Sequence, residues 1–284
     1  HVGCLPDPDK QIFDLFVGET GALLAWVLYL LRTKLDGISP LLTQRVEKEL
    51  QVRVICPYLE CDTYLWMLYV LYDGVLINNW TPWCTSNALT TLLLTERDEE
   101  KCVKGIQKAL FSLEKFAATY AEDGGCDEGP GYWNKASGSL FDCLYLLWMI
   151  SGGEINLFEN NPKLRKMAGY IANVHIYEDH FVSYADGDEK CGIMPQKVYM
   201  FGKMTDNPSM VSLAAELCRS LPNLIPLQWN MSTYLQGVFF ADELLKEPEG
   251  QKSLEDVYLK DLNIVCFREE NGFFLSAKGG HNGE

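Results

Sequence analysis

Two short segments of the chain gather residues able to do chemistry. The first is Ile77-Asn78-Asn79-Trp80-Thr81-Pro82-Trp83-Cys84-Thr85-Ser86-Asn87, with two tryptophans, three carboxamides and three hydroxyls around a proline. Such a set suits a sugar, because an aromatic ring stacks on the apolar face of a pyranose while amides bond its hydroxyls. It suits equally a helix start, with Thr85 or Ser86 as the N-cap and both tryptophans buried. Composition leaves these two readings balanced.

The second segment is Glu122-Asp123-Gly124-Gly125-Cys126-Asp127-Glu128-Gly129-Pro130-Gly131-Tyr132-Trp133, with four acids and four glycines. Clustered carboxylates can hold a metal or do acid–base work. Their spacing is not that of an EF-hand, whose ligand loop is longer. The plainer alternative is a glycine-rich turn whose acids are solvated or cap neighbouring helices.

Weaker candidates follow. His175 and His180 flank Tyr177 and precede Tyr184, Asp186 and Asp188. They suit a cleft-lining loop or, more simply, a helix end with satisfied histidines. Lys197, Tyr199 and Lys203 offer cationic contacts to an acidic sugar, or a solvated face. The chain has no phosphate-binding glycine loop and no nucleophile elbow.

The elements that must position these residues read as helices. Phe13 to Leu31 is strongly apolar and is followed by Arg32 and Lys34, as suits a helix C-terminus. Leu41 to Val54 has one charged and one apolar face. In Asp98 to Ala121 the residues Val103, Ile106, Leu110, Leu113, Ala117 and Tyr120 recur at helical steps, and Gly124-Gly125 ends the pattern. Ala136 to Ile150 closes on Gly152-Gly153. Pro162 to Val174, Ser209 to Leu221 and Gln228 to Leu245 continue the series, about eight to ten helices by periodicity. The period then changes. Leu262 to Arg268 and Phe273 to Ala277 are strand-like, with Asn271-Gly272 as the hairpin signal between them. A single hairpin has no core of its own, so the expectation is a fragment of a longer protein.

The 284 residues are 48% hydrophobic and 22% charged, enough for a sizeable core and against disorder. The formal charge of −15 argues against nucleic acid and anionic membranes as partners. It also disfavours densely sulfated polyanions. The ten cysteines form no CxxC pair and most sit in apolar helical patterns, so they are expected reduced and the protein cytoplasmic. A zinc site built from them alone lacks the paired spacing. The longest apolar stretch, Gly21 to Leu31, is too short for a bilayer, which needs about 20 residues.

The phrase Asp123-Gly124-Gly125-Cys126-Asp127-Glu128-Gly129-Pro130-Gly131-Tyr132-Trp133 is preceded by Asn78-Asn79-Trp80 and followed by Lys278-Gly279-Gly280-His281-Asn282-Gly283-Glu284. In that order the three segments resemble the heparinase II/III family of bacterial polysaccharide lyases. The resemblance implies an all-α domain over 1–258, an (α/α) toroid of helical hairpins. It implies that 259–284 begins an antiparallel β-sandwich, left incomplete. It implies β-elimination of uronate-containing glycans, with an acidic oligo- or polysaccharide as partner. Asn78 or Asn79 matches the residue that neutralises the uronate carboxylate, and Tyr132 the proton-handling tyrosine. Trp80, Trp83, Glu128, Trp133, His175 and His180 would bind substrate. The family's zinc and catalytic histidines belong to the β-domain beyond Glu284, so no cofactor is expected in this chain, and His281 is not given their role.

The chemistry is consistent with these residue types. A uronate C5 proton leaves only when the carboxylate charge is offset, as an amide donor can do. A phenol, with an ordinary pKa of about 10, is a poor base and a sound acid. That favours the acid role for Tyr132, with the base in the missing domain. Two rivals remain: a glycoside hydrolase using Asp127 and Glu128, and a non-catalytic glycan-binding module.

Overall fold

The computed structural model describes residues 12–70, 77–220, 231–248 and 255–280. Cys4, the ends of two expected helices at 221 and 228–230, and His281 to Glu284 lie outside the described residues. The described chain is mostly helical, with two small antiparallel sheets. It forms two compact units, residues 1–118 with 229–231, and residues 119–228 with 232–284.

In the first unit, helix α1 spans Leu15–Ile38, and its N-cap Asp14 accepts from the Val17 amide. This helix is longer than the apolar stretch read from sequence. By length and composition it is long enough and apolar enough to cross a bilayer, which corrects the sequence-based expectation. One face of it packs closely within the unit. A Cβ on Gly21 would lie 2.8 Å from Val54 Cγ2, and one on Gly18 would lie 3.2 Å from Asn87 Cβ, so small residues bring neighbouring backbones close. Helix α2, Pro40–Leu50, runs through a π-turn, Gln51–Ile55, into α3, Cys56–Glu60. Pro57 has no N–H for Arg53, and the Cys56 amide bonds back to Gln51 instead, which produces the wide turn.

Helix α4 spans Trp80–Thr95, so most of the segment expected as a loop is helical. Periodicity could not find it because the buried residues, Thr81, Thr85, Asn87, Ala88, Leu89 and Thr91 among them, cover every face. The polar ones turn inward on the helix itself: Ser86 Oγ and Asn87 Nδ2 donate to the Trp83 carbonyl, and Thr91 Oγ1 to the Asn87 carbonyl. Thr85 and Ser86 are therefore interior residues, not caps. Helix α5, Glu99–Thr119, has Gly105 where a Cβ would lie 2.1 Å from Leu92 Cδ2, and Tyr58 donates to its carbonyl at 2.7 Å.

In the second unit, α6 (Pro130–Trp133), α7 (Ser137–Ile150) and α8 (Pro162–Asn173) are followed by a hairpin of β1 (His175–Tyr177) and β2 (His180–Phe181). The sequence reading expected a helix end there. Helices α9 (Pro195–Met204), α10 (Pro208–Ser220) and α11 (Met231–Lys246) complete the helical part. Proline stands at the first helical position of α6, α8, α9 and α10, where no N–H is required. Strands β3 (Val257–Leu259), β4 (Ile264–Arg268) and β5 (Phe274–Lys278) form the second sheet. The expected turn is present: Gly272 has φ +86°, and Asn271 accepts from the Phe273 amide at 2.8 Å. Strand β3 went unforeseen because three residues carry too short a period.

That sheet does not stand alone. Leu259, Ile264 and Cys266 bury one face. The Arg268 guanidinium donates to the carbonyls of Ala172, Asn173 and His175, closing the C-terminal end of α8. The nine described cysteines are all free.

Candidate functional site

The glycine-rich segment is a loop gripped from three sides. Gly124, at φ +81°, lies so close to α8 that a Cβ would fall 2.3 Å from the Lys166 carbonyl carbon. A Cβ on Gly125 would fall 2.4 Å from Leu262 Cδ1, and one on Gly129, at φ +94°, 2.6 Å from the Tyr184 carbonyl oxygen. Each glycine thus answers to a different neighbour.

The acids divide into two sets. Asp123 is structural: Oδ1 accepts from the Gly125 amide at 2.9 Å and Oδ2 from the Asp261 amide at 2.7 Å. Asp127 is exposed and caps the Glu128 amide at 3.0 Å. Glu128 is half-buried and leads directly into α6. The turn reading therefore accounts for Asp123 and Asp127.

Beneath the loop lies a buried set of hydroxyls. Tyr184 donates to the Cys126 carbonyl at 2.5 Å, and Tyr170 donates to Tyr184 at 2.5 Å. Ser137 Oγ donates to the Tyr120 hydroxyl at 3.0 Å. Burial pushes the Tyr120, Tyr170 and Tyr184 phenols well above the ordinary range, and the Cys126 thiol to about 12. All four groups are neutral in the folded protein and act as fixed hydrogen-bonding groups. None is a ready base.

Helix α6 sends its two aromatic residues in different directions. Tyr132 is half-buried. Trp133 is 0% exposed, its indole N–H donates to the Met167 carbonyl at 2.8 Å, and its ring lies 6.0 Å from that of Phe201. Trp133 is thus a core residue with no face open to a sugar, which corrects its assignment to substrate binding.

The histidines are also occupied. His175 is buried in β1, its Nε2 2.9 Å from the Glu178 carbonyl and its ring 5.1 Å from Phe181. A buried ring so held supports the hairpin. His180 is less enclosed, stacked 4.9 Å from Tyr177, with Nδ1 3.2 Å from an Asp179 oxygen. Glu178, Asp179 and His180 bring three ligand atoms within 4.8 Å of one another. Lys190 already lies 3.2 Å from Asp179 in that group, so a cation there would compete with an ammonium.

Lys197 is neither a sugar contact nor part of a solvated face. It is 1% exposed and pairs with Asp142 at 2.8 Å. Tyr199 donates to Glu247 at 3.1 Å, and the Lys203 ammonium lies 5.7 Å from the Tyr199 ring.

In the first unit, the start of α4 carries the other candidates. Asn78 is exposed, and its Oδ1 accepts from the Trp80 amide at 3.1 Å. Asn79 is buried. Trp80 is 41% exposed and offers a ring face to solvent. Trp83 is half-buried, with its indole N–H donated to Glu19 at 2.9 Å. The structure thus groups Asn78, Asn79, Trp80 and Trp83 in one unit, and Glu128 and Tyr132 in the other. Sequence reasoning missed Asp261 and Tyr170 altogether and noted Tyr184 only in passing; no local motif marks groups that act across more than a hundred residues of chain, as Asp261 does on Asp123. No protein-family model matches the chain, and no curated protein matches it either.

Proposed function

We propose that the chain is the helical, sugar-binding part of a polysaccharide lyase that cleaves uronate-containing glycans by β-elimination, built as a toroid of helical hairpins. The observation that carries this reading is the Glu128–Tyr132 motif: a half-buried tyrosine on a short helix, preceded by a loop that Asp123, Gly124, Gly125 and Gly129 hold in place. In the reaction, a base removes the C5 proton and the electron pair forms the C4–C5 double bond. The C4–O bond breaks, and Tyr132 protonates the leaving oxygen. Asn78 or Asn79 offsets the carboxylate charge so that the enediolate can form. Of the two, exposed Asn78 is the more accessible, although its Oδ1 is engaged with the helix start and only its Nδ2 is left to donate. Trp80 supplies a stacking face.

In this reading Tyr132 is the acid, and the base is a separate group. The acids around Tyr132, together with the charge of −15, favour glycans with few sulfates. Elimination leaves a conjugated double bond that absorbs in the ultraviolet, whereas hydrolysis leaves none. An absorbance assay on the protein with unsulfated glucuronate polysaccharide tests the reading. New reducing ends without absorbance would establish the hydrolase and sink the lyase. A glycan-binding module is the second reading, favoured by the exposed Trp80 side chain, and binding without any cleavage would establish it.

A further inference from the structure

We propose that Tyr184 is a positioning residue for the candidate site, holding the loop that presents Glu128 and Tyr132; as a statement about a sugar site it rests on the proposed function. Tyr184 grips the loop twice. Its hydroxyl donates to the Cys126 carbonyl at 2.5 Å, and its own carbonyl packs where a Cβ on Gly129 would lie 2.6 Å away. These contacts bracket Asp127 and Glu128, so the chain carrying these two acids is fixed at both ends.

The grip is itself rigid. Tyr184 begins a tight turn in which the Gly187 amide donates to its carbonyl at 2.9 Å, and Ser183 Oγ donates to the Gly187 carbonyl at 2.8 Å. Ala185 sits in the left-handed region at φ +47°, a conformation held only when the surroundings dictate it. Gly187 lies where a Cβ would fall 2.9 Å from Pro130 Cδ, so the turn rests on the first residue of α6. The Tyr184 hydroxyl is in turn fixed by the donor Tyr170. The Cys126 carbonyl also accepts from the Gly129 amide at 3.1 Å, so the Tyr184 hydroxyl is its second donor and its tie to a residue outside the loop; Cys126 is 1% exposed, so no solvent replaces that tie when it is lost. The loop, left with its own internal bond, would then move more freely and carry Glu128 with it.

The test compares Tyr184→Phe with Tyr170→Phe in the 284-residue chain. Tyr184→Phe deletes the donor to Cys126, whereas Tyr170→Phe deletes a bond of similar burial and leaves that donor in place. Amide hydrogen exchange of residues 123–132 should quicken about tenfold in Tyr184→Phe, with little change in α9 and α10. Affinity for an unsulfated glucuronate tetrasaccharide should fall about tenfold with it. Tyr170→Phe should leave both near the parent values. Gly129→Ala, which pushes the Tyr184 carbonyl away from the opposite side, should reproduce the local exchange change and stands in if Tyr184→Phe does not fold. Equal effects of the two phenylalanine variants on the loop, or exchange raised uniformly over the unit, would overturn the proposal. Should the parent chain not bind the tetrasaccharide, the functional reading fails by itself, and the exchange comparison still decides whether Tyr184 holds the loop.

Discussion

Asp123 and Asp261 each accept the other's backbone amide. Asp123 Oδ2 takes the Asp261 N–H at 2.7 Å, and Asp261 Oδ2 takes the N–H groups of Asp123 at 3.2 Å and Glu122 at 2.7 Å. This reciprocal pair ties the glycine-rich loop to the turn between β3 and β4. Each carboxylate is met by backbone amides. Asp261→Ala removes the acceptor for two amides that water can partly serve, so it should lower stability by about 1 kcal/mol. Asp261→Asn keeps an oxygen acceptor and should lose about half as much. Urea unfolding of the two variants checks this ordering; equal losses would show that the carboxylate matters as a charge.

Glycine substitutions should separate by their surroundings. Gly124→Ala combines a left-handed φ with a Cβ 2.3 Å from α8 backbone that cannot yield, and should cost about 3 kcal/mol or more. Gly152→Ala shares the left-handed φ, at +63°, but meets nothing within 4 Å, and should cost about 1 kcal/mol. Thermal unfolding of both variants gives the comparison.

The buried pair Lys197–Asp142 joins α9 to α7 in the core of the second unit. Lys197→Met should destabilise by roughly 3–5 kcal/mol, because it leaves Asp142 charged in a dry setting or forces it to take up a proton. Asp142→Leu in the Lys197→Met background should recover most of the loss. A double-mutant cycle by urea unfolding measures the coupling.

Glu96, just before α5, is held down to about 2. Burial alone would raise it, but the amides of Asp98 and Arg97 and the side chains of Gln51 and Lys101 together outweigh that effect. Its folded value lies below the ordinary 4.5, so the stability it contributes is full above about pH 4.5 and is lost as pH falls towards 2. Glu96→Gln should therefore lose stability at pH 6 and show a shallower decline between pH 5 and pH 2, measured as urea midpoints across that range.

Where the chain is amphipathic, as in α5 and α8, residue spacing was enough to find the helix; the Asn271-Gly272 hairpin was equally plain from its turn residues. Helix α4 was not, because its polar residues bond back onto their own helix and leave no apolar stripe to count. The site was legible in part. Tyr132 and Glu128 stood out by composition, and so did Trp133, yet nothing in the motif told the half-buried aromatic from the fully buried one. That distinction depends on Met167 and Phe201, which reach Trp133 from elsewhere in the fold.

The same distinction yields the last prediction. Trp80 and Trp133 are both candidate sugar platforms by sequence, but only Trp80 shows a face to solvent, at 41% against 0% exposure. Trp80→Ala removes an exposed ring at the first residue of α4, where little packing depends on it, so the unfolding midpoint should move by the equivalent of under about 1 kcal/mol. Binding of a glucuronate oligosaccharide should weaken about tenfold, the scale of one lost aromatic contact. Trp133→Phe should do the reverse. It opens space beside Phe201 and removes the indole donor to the Met167 carbonyl, so about 2–3 kcal/mol of stability should go while affinity, measured well below the unfolding midpoint, stays within about twofold. Calorimetric titration beside thermal unfolding reads both quantities. If Trp80→Ala bound as tightly as the parent, the stacking role would move to Trp83, whose ring is half-buried and whose N–H is committed to Glu19.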